Sequence, residues 1–158
     1  MKYKMKKIIY ILFLSILTAF NSNAQKQKSI DLNWQSNFEE AKQLAASQNK
    51  LVLIYFTGSD WSESCKLLNK DFFYTEKFQK IASDHLILVR VNAPRRSNLI
   101  SEFQEQKNLE LKNLFNQKVL PTVVLTDPKG KSLGMIESYN YLHDTSKHYS
   151  LIEEALKK

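Results

Sequence analysis

Only one cysteine, three glycines and three prolines occur in 158 residues. A lone cysteine permits no intramolecular disulfide, which excludes a disulfide-stapled mini-protein. So little glycine and proline excludes a collagen-like repeat, and a hydrophobic fraction of 43%, with 11% aromatic residues, excludes a disordered chain. No Gly-x-Ser-x-Gly elbow occurs, so nothing local marks a catalytic serine. What remains is the composition of one domain with a full core.

The formal charge of +7 is less informative than it looks, because Lys2, Lys4, Lys6 and Lys7 precede an apolar run from Ile8 to Phe20 and then Ser22-Asn23-Ala24. Basic, apolar and small-residue parts in that order predict a secretory signal peptide over residues 1–24. The run is shorter than the roughly 20 residues needed to cross a bilayer, so no stable membrane association is expected after cleavage. No cysteine follows it closely, which excludes a lipid-modified N-terminal cysteine. Residues 25–158 then hold 19 basic against 16 acidic side chains, +3, and give no electrostatic case for nucleic acid. The expected location is the periplasm or the outside of the cell.

Residues 25–33 read as a flexible polar lead-in to a domain spanning 34–158. Trp34, Phe38, Ala41, Leu44 and Ala45 recur at helical spacing, and Ser36 with Glu39 forms a capping box, predicting a helix to Ser47. Leu51 to Thr57, apolar at nearly every position, reads as a central strand buried on both faces. A turn at Gly58-Ser59-Asp60 leads into a helix from Ser62 to Asp71, and a short helix covers Thr75 to Ala82. Leu86 to Val91 is the next strand. Asn98 to Gln117 reads as one long helix or two, and Thr122 to Thr126 as a strand. The turn Asp127-Pro128-Lys129-Gly130 returns the chain as Leu133 to Glu137, and the last helix runs from Ser146 to Lys157 with Tyr149, Ile152, Ala155 and Leu156 inward. This order implies an α/β fold of three layers, a mixed sheet of about four strands with helices on both faces.

The stretch Gly58-Ser59-Asp60-Trp61-Ser62-Glu63-Ser64-Cys65-Lys66, preceded by Leu51 to Phe56, resembles the active turn Gly-Ser-Asp-Trp-Cys-x-x-Cys-Lys of exported members of the thioredoxin superfamily. Leu120-Pro121-Thr122, opening the third strand, matches the family's second signature. The resemblance covers about residues 34–157 and implies a thioredoxin-like fold, in which Pro121 corresponds to a cis-proline. Leu120 and Thr122 would then offer backbone groups to an extended client beside Trp61.

The sequence departs from the family at the chemistry. Where the family carries the cysteine that attacks a client disulfide, this chain has Ser62. A hydroxyl is a far weaker nucleophile toward sulfur and forms no disulfide with Cys65, so the two-electron dithiol cycle is unavailable. Serine is also a good N-cap. Cys65 occupies the place of the resolving cysteine, against the core, and is either an inert packed thiol or a slow intermolecular one. The family's buried proton-shuttling acid finds its nearest counterpart in Tyr55.

The resulting expectation is a module in thiol-disulfide homeostasis that holds an extended polypeptide or partner protein through Trp61, Leu120, Pro121 and Thr122, beside a degenerate turn of Asp60, Trp61, Ser62 and Cys65. The alternative is exchange or isomerisation through Cys65 alone, and a third reading docks a partner on the Asn98 to Gln117 helix. No cofactor and no metal is required. His143, Asp144 and His148 lack the i, i+4 geometry of a helical metal site and read as a solvated segment. His85 reads as a strand boundary, and Arg90, Arg95 and Arg96 as a solvated strand end.

Overall fold

The computed structural model describes residues 32–157. The expected signal peptide and most of the expected lead-in lie outside these residues. Leu32, which the sequence reading assigns to the lead-in, is buried in the core.

In chain order the elements are β1 (Trp34–Gln35), α1 (Phe38–Gln48), β2 (Leu51–Thr57), α2 (Glu63–Leu68), a π-helical turn (Asn69–Phe73), α3 (Glu76–His85), β3 (Leu86–Asn92), α4 (Glu102–Leu114), β4 (Thr122–Thr126), β5 (Ser132–Glu137) and α5 (Ser146–Leu156). The sheet runs β1-β3-β2-β4-β5. β1 and β2 pair parallel to β3, whereas β4 is antiparallel to both β2 and β5.

The two central strands are apolar almost throughout because both of their faces are covered. Alternate residues of β2 enter different layers. Val52, Ile54 and Phe56 meet Phe38, Ala41 and Ala45 of α1 and Leu111 of α4. Leu53 and Tyr55 meet Cys65, Leu68, Phe72, Phe73 and Phe78 on the opposite side, together with Ile152 of α5.

Five strands replace the expected four, because Trp34 and Gln35 pair with Leu88 and Val89 instead of starting a helix. Trp34 lies four residues before Phe38 and so fits the helical period. Its ring packs instead on Phe73 and Tyr55, with centroids 5.3 and 5.8 Å away. The helix start moves one residue later: Asn37 accepts from the Glu39 and Glu40 amides, and its side-chain amide donates to Glu40.

In α5 His148 and Ile152 are buried and Tyr149 and Ala155 pack, partly buried, against the same core as expected, while Leu156 is exposed. His148, expected in solvent, is 4% exposed, with its ring 5.0 Å from that of Phe72 and 6.0 Å from that of Tyr139. Its Nδ1 has no hydrogen-bond partner among the described residues. Burial pulls its pKa down to about 4, against the opposing pull of Asp144. As the pH falls below about 6.5 the unfolded chain protonates this histidine first, so stability is lost from there down to about pH 4. The expected loss reaches about 3 kcal/mol. Urea midpoints measured across that window should fall steeply for the native sequence and much less for His148→Phe.

Candidate functional site

The site is built where β2 ends and α2 begins. Ser62 is the N-cap of α2, and its hydroxyl accepts from the Cys65 amide at 3.4 Å. That places a side-chain oxygen at the amino end of the helix, where amides and the helix dipole favour negative charge. A hydroxyl, with its high pKa, gains little there, whereas a thiol would be activated.

Cys65 lies one turn inward and is 0% exposed. Its Sγ is 3.5 Å from the Gly58 amide, which donates to it, and its carbonyl accepts from the Tyr55 hydroxyl at 3.2 Å. Burial, reinforced by the adjacent Cys65, pushes the Tyr55 phenol well above its ordinary pKa, so it remains a neutral donor in place of an ionisable acid. The thiol is packed, capped and closed to solvent. A group in that state cannot reach a client disulfide without local opening.

Trp61 both closes the turn and faces outward. Its Nε1 donates to the Ala93 carbonyl at 2.9 Å and its ring covers Gly58, where an added Cβ would stand 2.6 Å from Cε2. The residue is nonetheless 37% exposed, and it walls a cavity of about 600 Å³ that Leu120 also lines.

The peptide bond between Leu120 and Pro121 is cis. The Pro121 carbonyl accepts from Ser138, which joins the end of β5 to this loop. Val119 O accepts from the Gln117 side-chain amide and from the Thr122 hydroxyl. The N–H and C=O of Leu120, by contrast, engage no other described residue. Backbone groups left free beside an exposed aromatic are what an extended chain pairs with in strand addition. Thr122 is buried within the sheet and contributes by holding this bend.

Two features of the site escaped the sequence reading. Asp60 accepts from the Arg95 amide at 3.1 Å and the Arg96 amide at 3.1 Å, and pairs with the Arg96 guanidinium at 3.6 Å. Although burial opposes it, these donors hold the Asp60 carboxyl below the usual carboxylate range. Asp60 therefore ties the turn to the loop after β3. The arginines are exposed, as expected of a solvated strand end, but each has a partner: Arg95 lies over Trp61 at 4.4 Å and Arg90 over Trp34 at 4.7 Å. The dipeptide Asp60-Trp61, against the pair Arg95-Arg96, carried the signal, but nothing in one sequence says that these segments meet.

The second is a clasp behind the turn. Asp71, in the π-helical turn, accepts from the Tyr139 hydroxyl at 2.9 Å and pairs with His143 Nδ1 through the same oxygen. It fixes both sides of the loop after β5 to the π-helical turn that follows α2. Between those anchors Tyr141 and Leu142 are largely exposed. His143 thus has a structural partner, and Asp144 accepts from the Ser146 amide. Among the described residues no group of three His, Cys, Asp or Glu side chains is arranged to hold a metal ion.

Comparison with known proteins agrees with this geometry. A family model described as thioredoxin-like matches residues 33–128. Over 119 residues the chain is 32% identical to the disulfide bond reductase DsbH of Chlamydia pneumoniae, covering 73% of this chain and 70% of that protein. It is 25% identical over 136 residues to the thioredoxin-related protein DsbJ of the same organism, covering 86% of this chain but 39% of that one. The solved structure of a DsbH oxidoreductase matches with a TM-score of 0.70 at 28% identity, over 89% of this chain and 96% of that one. With a family model spanning most of the described residues, and with the turn before α2 and the cis-proline loop set on a five-stranded sheet, the chain belongs to the thioredoxin-like family.

Proposed function

We propose that this protein is an exported, redox-inactive thioredoxin-like module that holds an extended polypeptide or a partner protein within thiol-disulfide homeostasis. The observation that carries the proposal is the contrast inside the site. Sulfur chemistry is withdrawn, with an oxygen at position 62 and Cys65 sealed under Gly58, while Trp61 and the backbone of Leu120 stay open. The relatives named a disulfide bond reductase and a thioredoxin-related protein support a place among disulfide-bearing clients, and the amino-terminal signal pattern supports export.

Monothiol exchange by Cys65 requires a thiolate that meets a client sulfur. A sulfur with no exposure and a backbone donor already at 3.5 Å argues against it.

The test is binding without turnover. A fluorescein-labelled, permanently unfolded carboxymethylated α-lactalbumin should bind residues 25–158 saturably by anisotropy. Trp61→Ala should weaken binding by on the order of tenfold, as expected on removing an aromatic anchor. Absence of binding, or equal binding by Trp61→Ala, contradicts the proposal.

A further inference from the structure

We infer that the cavity beside Trp61 selects an acidic segment of the bound polypeptide. The inference rests on the holding function proposed above and specifies what that site accepts.

The cavity of about 600 Å³ lies between the turn, the loop after β3 and α4. Its floor is apolar, formed by Phe56, Val91 and Leu120. Its charged lining is lopsided: Arg95, Lys112 and Lys118 are cationic and only Glu105 is anionic. That volume falls in the range of pockets that enclose a small ligand and is large enough for side chains of a short peptide.

None of the three cations is in an ion pair with a described residue. Other cations of the domain are paired: Arg96 with Asp60, Lys66 with Glu63, and Lys107 with Glu110. Arg95, Lys112 and Lys118 have no carboxylate within 4.0 Å among the described residues. Arg95 is nevertheless held in place. Its amide is bound to Asp60 and its guanidinium carbon lies 4.4 Å from the centre of the Trp61 ring, which positions the charge beside the cavity.

A polypeptide suits this cavity better than a free small anion does. Leu120, whose backbone N–H and C=O are unengaged, lines the same space. A chain paired there in extended form directs neighbouring side chains over an apolar floor toward a cationic rim. An apolar residue next to aspartate or glutamate satisfies both.

The test uses two fluorescein-labelled ten-residue peptides of one pattern, with Leu flanked by Asp and Glu in the first and by Asn and Gln in the second. The acidic peptide should bind residues 25–158 about tenfold more tightly at low salt, and the preference should vanish near 1 M salt. The double variant K112E/K118E, whose changes are at exposed positions, should erase the difference between the peptides. Equal affinity of the two peptides for the native sequence, or a preference that survives the charge reversal, overturns the selection for acidic segments and leaves the holding function standing. Failure of both peptides to bind overturns both. A preference reproduced in full by free succinate as competitor assigns the cavity to a small anion and also overturns the inference.

Discussion

Replacing Ser62 by cysteine is expected to create a dithiol enzyme from this chain. The new thiol would stand at the N-cap of α2, where Ser62 now accepts from the Cys65 amide, and there the helix end lowers a thiol pKa. Cys65, one turn further, is placed to resolve the mixed disulfide. The client disulfide is reduced by two electrons as the introduced thiol and Cys65 are oxidised to a disulfide, and dithiothreitol restores the pair. Insulin reduction by dithiothreitol should accelerate by on the order of a hundredfold over the native sequence, which is expected to give only the uncatalysed rate. The double variant S62C/C65A should trap mixed disulfides and fail to turn over. The gain carries a cost of about 1 kcal/mol in the reduced form, from loss of the serine cap. If oxidised S62C contains no bond between positions 62 and 65, the turn is not competent and the reading of Ser62 as standing at the nucleophile's position is wrong.

The largest loss of stability is expected at Phe72. This ring has no exposure and lies 4.6 Å from Phe78, 4.9 Å from Tyr149, and 5.0 Å from both Phe73 and His148. It therefore joins the π-helical turn to α3 and α5 on one face of the sheet. Phe72→Ala removes contacts to all of them and leaves a cavity that edge-packed rings fill poorly, at about 3–5 kcal/mol. Against a total stability of roughly 5–15 kcal/mol this is a large fraction. Phe72→Leu, which keeps most of the volume, should cost about 1–2 kcal/mol. Because Asp71 precedes it and anchors Tyr139 and His143, the same change should also loosen the loop after β5. Urea unfolding measures the cost, and a loss below about 1 kcal/mol for Phe72→Ala would contradict this view of the core.

The parts of the fold legible in the sequence were those with one dominant physical signal. β2 and β3 read correctly because strands covered on both faces need apolar residues at nearly every position. The hairpin read correctly because Asp127-Pro128-Lys129-Gly130 encodes its own turn, with Asp127 accepting from Lys129 and Lys131 and Gly130 at a φ of 87°. Ser62 read as an N-cap because a serine hydroxyl can accept from first-turn amides.

Where two signals competed, the sequence misled. Trp34 satisfied a helical period while its partner strand lay some fifty positions away. Ser36 and Asn37 are both good caps, and pairing of β1 with β3 decides between them. His148 looks polar in isolation and is buried only because Phe72 and Tyr139 surround it. In the site, the turn and the proline loop were legible as local motifs. The Asp60 tie to Arg95 and Arg96, the Asp71 clasp and the cationic cavity join distant segments, and one sequence does not encode such contacts in any local pattern.

The account turns on whether the one sulfur of the domain's active turn is withdrawn from chemistry, and native-state alkylation reads this directly. Residues 25–158 incubated with excess maleimide at neutral pH should remain unmodified at Cys65 for as long as they remain folded, and the slow labelling that does occur should track the unfolding equilibrium when urea is added. Prompt stoichiometric modification of the folded protein, accelerating little in urea, would show a thiol open to solvent and ready to exchange, and would replace the holder described here with a reactive enzyme.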